Sequence, residues 1–216
     1  MADYKKPDHW QQKARKEGYP ARSVYKLKEI DEKFNLIPSG SRQANFKVLD
    51  IGAAPGSWSL YVLRKLAGNG GSGGFLAAAD LSPLSREFDT HEKNRGLFDG
   101  GSFFFTQGDI TAPGTRETLL SKGPYNLIIS DVAPSTTGSR MVDTARSLEL
   151  AETVLEYAQT ALASGGNLVV KIFQGSGTDL LLKRIKTLFK TAKSFKPEAC
   201  RGESMETYFI GSNFQN

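Results

Sequence analysis

The sequence predicts an α/β sandwich, a sheet of mostly parallel strands with helices on both faces. Three observations lead there. Short apolar runs that end in a charged residue alternate along the chain with longer segments whose apolar residues recur at helical spacing. The run at 46–51 passes through a turn of small residues directly into a helical pattern, the kind of junction on which such sheets build binding sites. The 216 residues are enough for one buried core, so a single domain is expected over 1–216.

Residues 1–19 form a polar arm in which Lys5, Lys6, Lys13, Arg15 and Lys16 are interleaved with Tyr4, Trp10 and Tyr19. That mixture suits phosphate contact with base stacking. It also suits a tail whose charges face water. Over 21–34, Val24, Leu27 and Ile30 recur at helical spacing and Ser23 stands where a cap would. On these residues alone, Lys26 is a solvated lysine on that helix. A polar connection at 39–45 leads into FKVLDIGAAPGSW at 46–58. Phe46, Val48, Leu49 and Ile51 make a buried strand with Asp50 near its end. Gly52, Ala53, Ala54, Pro55 and Gly56 make the turn, and a helix follows through Trp58. Backbone N–H groups and a carboxylate meet there, as a small polar cofactor requires. The glycines lack the G-x-G-x-x-G spacing, which argues against a dinucleotide. The plain alternative is a βα turn with no ligand.

After a glycine-rich turn at 68–74, the strand FLAAAD ends in Asp80 and is followed by Leu81. An acid at that strand end can accept hydrogen bonds from both ribose hydroxyls of a nucleoside, or simply cap a turn. The charged stretch 82–101 reads equally as helix, loop or RNA-facing insertion, with His91 exposed. A strand at 102–107 leads into Gly108-Asp109-Ile110, and another at 124–131 ends in Asp131. A helix is expected over 148–163, stopped by Gly165 and Gly166. The run NLVVKIF at 167–173 carries Lys171, and a lysine inside an apolar strand is an inconsistency, because a buried unpaired ammonium is costly. Either the strand ends there and Lys171 reaches solvent, or the charge serves a site. A helix at 180–188, a short segment at 192–195 and a last strand within 200–211 complete the chain. The basic, aromatic stretch 193–201 is a second candidate for RNA contact.

Composition removes several classes. Cys200 is the only cysteine and His9 and His91 the only histidines, so a disulfide, a Cys/His metal site and a His-dependent triad are not expected. No apolar run approaches a membrane span and no signal core opens the chain, so a cytoplasmic protein is expected. The net charge of +5 favours a polyanionic partner without requiring one.

Several segments together are similar to one family. They are PARSVYKLKEI at 20–30, DIGAAPGSW at 50–58, Gly108-Asp109, Asp131-Val132-Ala133-Pro134, LVVKIF at 168–173 and SMETYFI at 204–210. From about residue 22 to 210 the chain resembles the FtsJ/RrmJ family of S-adenosylmethionine-dependent RNA 2′-O-methyltransferases. The resemblance implies a Rossmann-like methyltransferase sandwich with a seven-stranded sheet whose last strand is inserted antiparallel. It implies a catalytic tetrad of Lys26, Asp131, Lys171 and Glu206, with Lys171 as general base and Glu203 as the fallback for the fourth member. For S-adenosylmethionine it implies Asp50, Gly52, Ala53, Pro55, Gly56, Trp58, Asp80, Leu81, Asp109, Ile110 and Asp131, with S-adenosylhomocysteine as product and no metal. The implied substrate is a uridine 2′-hydroxyl of ribosomal RNA within the large ribosomal subunit, met by a monomeric enzyme. A tRNA anticodon-loop methyltransferase is the near alternative. A non-catalytic RNA-binding assembly factor is the alternative of a different class, and an enzyme acting on small molecules is the third.

Overall fold

The computed structural model describes residues 8–38, 45–67 and 73–215. The expectations for Tyr4, Lys5 and Lys6, and for the connections at 39–44 and 68–72, lie outside those residues. Among the described residues, six helices and seven strands follow in the order α1 (His9–Lys16), α2 (Val24–Phe34), β1 (Phe46–Ile51), α3 (Ser57–Ala67), β2 (Gly74–Asp80), β3 (Phe103–Gln107), α4 (Pro113–Leu120), β4 (Tyr125–Ser130), α5 (Arg140–Ala161), β5 (Leu162–Phe173), α6 (Thr178–Leu188), β6 (Phe189–Phe195) and β7 (Glu206–Phe214).

The strands form one sheet in the order β3-β2-β1-β4-β5-β7-β6. The strands from β1 to β5 pair in parallel, whereas β7 is antiparallel to both β5 and β6. Alternation along the strands feeds two cores. Val48, Leu76, Leu127, Ile129 and Val169 pack under α1, α2 and α3. Leu49, Ile51, Ile128, Leu168 and Val170 pack under α4, α5 and α6. Strand order reverses between β1 and β4, and such a switch point opens a crevice at the strands' carboxyl ends.

Several expectations about elements need correction. Helix α5 begins eight residues before position 148, at Arg140. Its first turns are stabilised by polar bonds, since Asp143 Oδ1 accepts from Thr137 N at 2.7 Å and Thr137 Oγ1 at 2.8 Å, so no apolar period marks them. Gly165 and Gly166 do not end that helix. They lie inside β5, which starts at Leu162 immediately after α5, where pairing with β4 shifts register. A Cβ on Gly166 would come within 2.9 Å of the Ala163 carbonyl oxygen. Helix α4 was not expected; it is eight residues long and fully buries only Leu119. Ser23 makes no side-chain capping bond. The 82–101 stretch is a chain of turns.

From residue 8 to residue 19 the arm packs onto the protein. Asp8 caps α1 through Gln11 N at 2.8 Å, Ala14 is fully buried, and Trp10 packs on Tyr25 at 4.9 Å between ring centroids. Tyr19 is buried under the Arg64 guanidinium. Both aromatic rings are therefore engaged within the protein.

Candidate active site

Helix α2 and the carboxyl ends of β4 and β5 bring Lys26, Asp131 and Lys171 together, and β7 adds Glu206. Lys171 is buried, with Nζ 3.1 Å from Asp131 Oδ1 and 3.9 Å from Glu206 Oε1. It also donates to the Asp131 carbonyl oxygen. Lys26 Nζ lies 3.0 Å from each Glu206 carboxylate oxygen. Two ammonium groups thus alternate with two carboxylates, which is how buried charges become tolerable. Glu203 is exposed and takes part in none of these ion pairs, so Glu206 is the acid that the fold brings to the lysines.

The antiparallel insertion of β7 makes this arrangement possible. Its register sets Tyr208 opposite Lys171 and Glu206 opposite Phe173. Residues 206 and 208 share one strand face, and Tyr208 donates its hydroxyl to Asp131 Oδ1 at 2.6 Å. Sequence reasoning missed Tyr208. The available signal was its position two residues beyond Glu206 in SMETYFI.

The charges act on one another. Burial alone would raise the Asp131 carboxyl, but Lys171, Lys26 and the Tyr208 hydroxyl outweigh it and hold Asp131 below the usual carboxylate range. Burial would likewise depress Lys26, yet Asp131 and Glu206 prevail and hold it above the ordinary lysine value. Lys26 is therefore a fixed cation. Burial, with Asp131 and Glu206 nearby, pushes the Tyr208 hydroxyl well up and leaves it a donor. Cys200, buried beside the cluster, is pushed up to about 11 by its burial and stays a thiol.

Two cavities meet this cluster. One, of about 460 Å³, is walled by Arg22, Lys26, Arg201, Glu203, Ser204 and Glu206. The other, of about 420 Å³, lies at the switch point and is lined by Gly52, Asp80, Leu81, Asp109, Ile110 and Asp131, among others. The tetrad spans the ground between them, since Asp131 faces the second and Lys26 and Glu206 face the first.

Six of the residues expected to hold a cofactor line the switch-point cavity, and five do not. Asp80 accepts from Ala54 N at 3.0 Å and Ser82 N at 2.8 Å, tying the end of β2 to the turn after β1. Asp109 accepts from Thr111 N and Oγ1, both at 2.8 Å, and those bonds hold its carboxyl low. Gly52 has φ +80°, and a Cβ there would come 2.7 Å from the Val132 backbone, so the turns after β1 and β4 approach each other only through a glycine. Ala53, Pro55 and Gly56 shape the turn without lining the cavity. Asp50 is fully buried, with Oδ2 accepting from Ser59 Oγ at 2.7 Å and Oδ1 unpartnered among the described residues. Its burial pushes it up to about 7. Trp58 is 2% exposed, donates to the Ser23 carbonyl oxygen at 2.8 Å and lies beside Tyr208, so it packs α3 against α2 and β7.

The 460 Å³ cavity has its own supports, also missed in the sequence. Glu29 accepts from Glu198 N at 2.6 Å and Ala199 N at 2.9 Å, and Arg22 donates to the Ala199 carbonyl oxygen at 2.7 Å. Both belong to the PARSVYKLKEI segment, where only Lys26 had been given a role. No helix among the described residues is long and apolar enough to cross a membrane.

This geometry can be set beside known proteins. The sequence profile of the FtsJ-like methyltransferase family matches residues 19–214. A protein of Treponema denticola named ribosomal RNA large subunit methyltransferase E is 48% identical over 98% of this chain and 97% of its own length. One of the same name from Borrelia garinii subsp. bavariensis is 42% identical over 96% of each chain. In fold, the chain is similar to a ribosomal RNA methyltransferase of Plasmodium falciparum, with TM-score 0.70 at 24% identity over 91% of this chain and 98% of that one. It is also similar to human methyltransferase-like protein 13 solved with S-adenosylhomocysteine, with TM-score 0.60 at 12% identity over 89% of this chain and 83% of that one. A match over almost the whole length, shared with relatives at this identity, makes the chain a methyltransferase and a member of the FtsJ-like methyltransferase family.

Proposed function

We propose that this protein methylates ribosomal RNA, transferring the methyl group of S-adenosylmethionine to a uridine 2′-hydroxyl of the large-subunit RNA. The observation that carries the reading is the Lys26–Glu206–Lys171–Asp131 cluster held between two cavities. The names of the relatives support the substrate.

The switch-point cavity fits the methyl donor on two counts. Its volume of about 420 Å³ suits a nucleoside with an amino-acid side arm, and Asp80, Asp109 and Asp131 suit a cationic ligand rich in donors. Asp80 would receive the ribose hydroxyls and Asp109 the adenine amine, with Gly52 and Asp131 toward the methionine end. S-adenosylmethionine supplies an electrophilic methyl carbon whose C–S bond breaks as the new C–O bond forms.

The chain's own task is to hold the acceptor oxygen in line and take its proton. Lys171 acts as the neutral amine: its ammonium first releases one proton to solvent, and the Nζ lone pair then receives the proton of the 2′-hydroxyl. Asp131 and Glu206 fix the direction of that amine by hydrogen bonds from two sides. Lys26, a permanent cation on the wall of the 460 Å³ cavity, balances Glu206 and stabilises negative charge building on the acceptor oxygen.

The test is methyl incorporation from labelled S-adenosylmethionine into undermethylated large subunits, deproteinised ribosomal RNA and bulk tRNA. Wild type is expected to label a 2′-hydroxyl of ribosomal RNA. Lys171→Ala is expected to lose transfer while calorimetry shows donor affinity largely intact. Label confined to tRNA would move the substrate. Absence of label in every RNA would defeat the reading, and equal loss of donor binding and transfer would defeat the assignment of the base.

A further inference from the structure

Strand β6 is one of the two edges of the sheet, opposite β3, and α6 lies beside it. Between residues 180 and 197 the chain has Lys183, Arg184, Lys186, Lys190, Lys193 and Lys196 and not one acid. All six are exposed. Arg184 reaches Glu152 at 3.2 Å. Among the described residues, Lys183, Lys186, Lys190 and Lys193 make no ion pair with an acid, as is also true of scattered cations such as Lys16 and Arg140; what sets the margin apart is that its cations run together with no acid between them.

Lysines on an edge strand also prevent unwanted strand pairing. That purpose does not extend to Lys183 and Lys186, which stand on a helix and guard no edge. The shared sign of helix and strand is therefore a feature of the whole margin. The margin is also continuous with the site. The last residue of β6, Phe195, pairs with Tyr208. Just beyond it, Lys196 donates to the Ser204 carbonyl oxygen at 2.8 Å, and Ser204 and Arg201 wall the 460 Å³ cavity.

We infer that the α6–β6 margin is the docking track for the RNA backbone flanking the target nucleotide. The inference rests on the RNA reading above and adds where the strand runs. From Lys190 to Lys196 the track is about 20 Å long at roughly 3.3 Å per residue. Its contacts are with phosphates, so they set affinity and register and leave base identity to the cavity.

The test compares wild type with the double variant Lys190→Glu/Lys193→Glu and with the remote control Lys93→Glu/Arg95→Glu. Binding to deproteinised large-subunit RNA is measured by filter retention across a salt series. The margin variant is expected to bind at least about tenfold more weakly, with its log affinity–log salt slope reduced by roughly 1.4–1.8 for two lost phosphate contacts. Donor affinity and thermal midpoint should match wild type. Unchanged RNA affinity would overturn the track while leaving the methylation reading intact. Equal weakening in the control would overturn it too, because the loss would then not be particular to the margin. Loss of binding to assembled subunits with naked RNA unaffected would indicate an acidic protein surface instead of RNA.

Discussion

Asp131 is the residue on which the site converges, because Lys171, Lys26 and Tyr208 all stabilise its carboxylate. Tyr208→Phe removes one hydrogen bond to a charged group, worth about 1.5–3 kcal/mol, or roughly 10–100-fold in rate if it is fully expressed at the transition state. Without that donor the Asp131 pKa rises toward the ordinary value. The variant is therefore expected to lower kcat and to move the titration of the Asp131 carboxyl, followed by NMR, upward. A titration that stays in place with kcat unaltered would reduce Tyr208 to packing. The clustering of these four residues was legible in sequence because Lys171 sits in an apolar run, where an ammonium demands an explanation, and because the neighbouring segments matched in order. Tyr208 was not legible, since a tyrosine is at home in any strand. Trp58 misled for the opposite reason: it adjoins the glycine turn, but its first-turn position on α3 directs it into the core.

At the scale of elements, α2 does more than present Lys26. Glu29 and Arg22 grip the backbone at 198–199, and the chain just beyond, at 201–206, forms one wall of the 460 Å³ cavity. Glu29→Ala leaves two backbone N–H groups without that acceptor, so amide exchange at Glu198 and Ala199 is expected to quicken. KM for RNA should rise several-fold with kcat and donor affinity little changed. An unchanged KM beside faster exchange would show that the wall's position does not matter to the substrate. Helices with a continuous apolar face, α2 and α6, were legible almost to their ends. The first turns of α5 and all of α4 were not, because polar capping and short length leave no periodic signature. The glycine pair at 165–166 signalled a break that the fold uses as an irregularity within a strand.

At the scale of the whole molecule, the layered α/β order was legible because every strand but the exposed edge is apolar. The place of β7 came only through resemblance, since nothing in a strand's composition states its direction. Stability of the whole carries a signature of Asp50. Its folded pKa of about 7 stands above the unfolded value, so between about pH 4 and 7 the folded state holds a proton the unfolded chain has released. Stability from this group therefore falls as pH rises through that window. Asp131 acts in a different range, with its low folded pKa adding stability above about pH 4 that is lost in stronger acid. Asp50→Asn keeps an acceptor for Ser59 and removes the titration. In the ligand-free protein its advantage in thermal midpoint over wild type is expected to be small near pH 4 and to grow to the order of a few kcal/mol of stability above pH 7. A constant difference across that range would contradict the assignment.

The pairing of Lys26 with Glu206 joins positions 180 residues apart. During synthesis at roughly 5–20 residues per second, Lys26 leaves the peptidyl-transferase centre about 10–35 s before its partner has been made. Nearly all of the sheet, including the strands that flank the switch point, can be translated in that interval, yet two amines and one acid still wait for their last neighbours. On the proposed mechanism, a nascent chain is chemically silent until its final antiparallel strand slides between two strands already made. Catalytic competence would then be a late event, and its appearance would date the moment at which β7 enters the sheet.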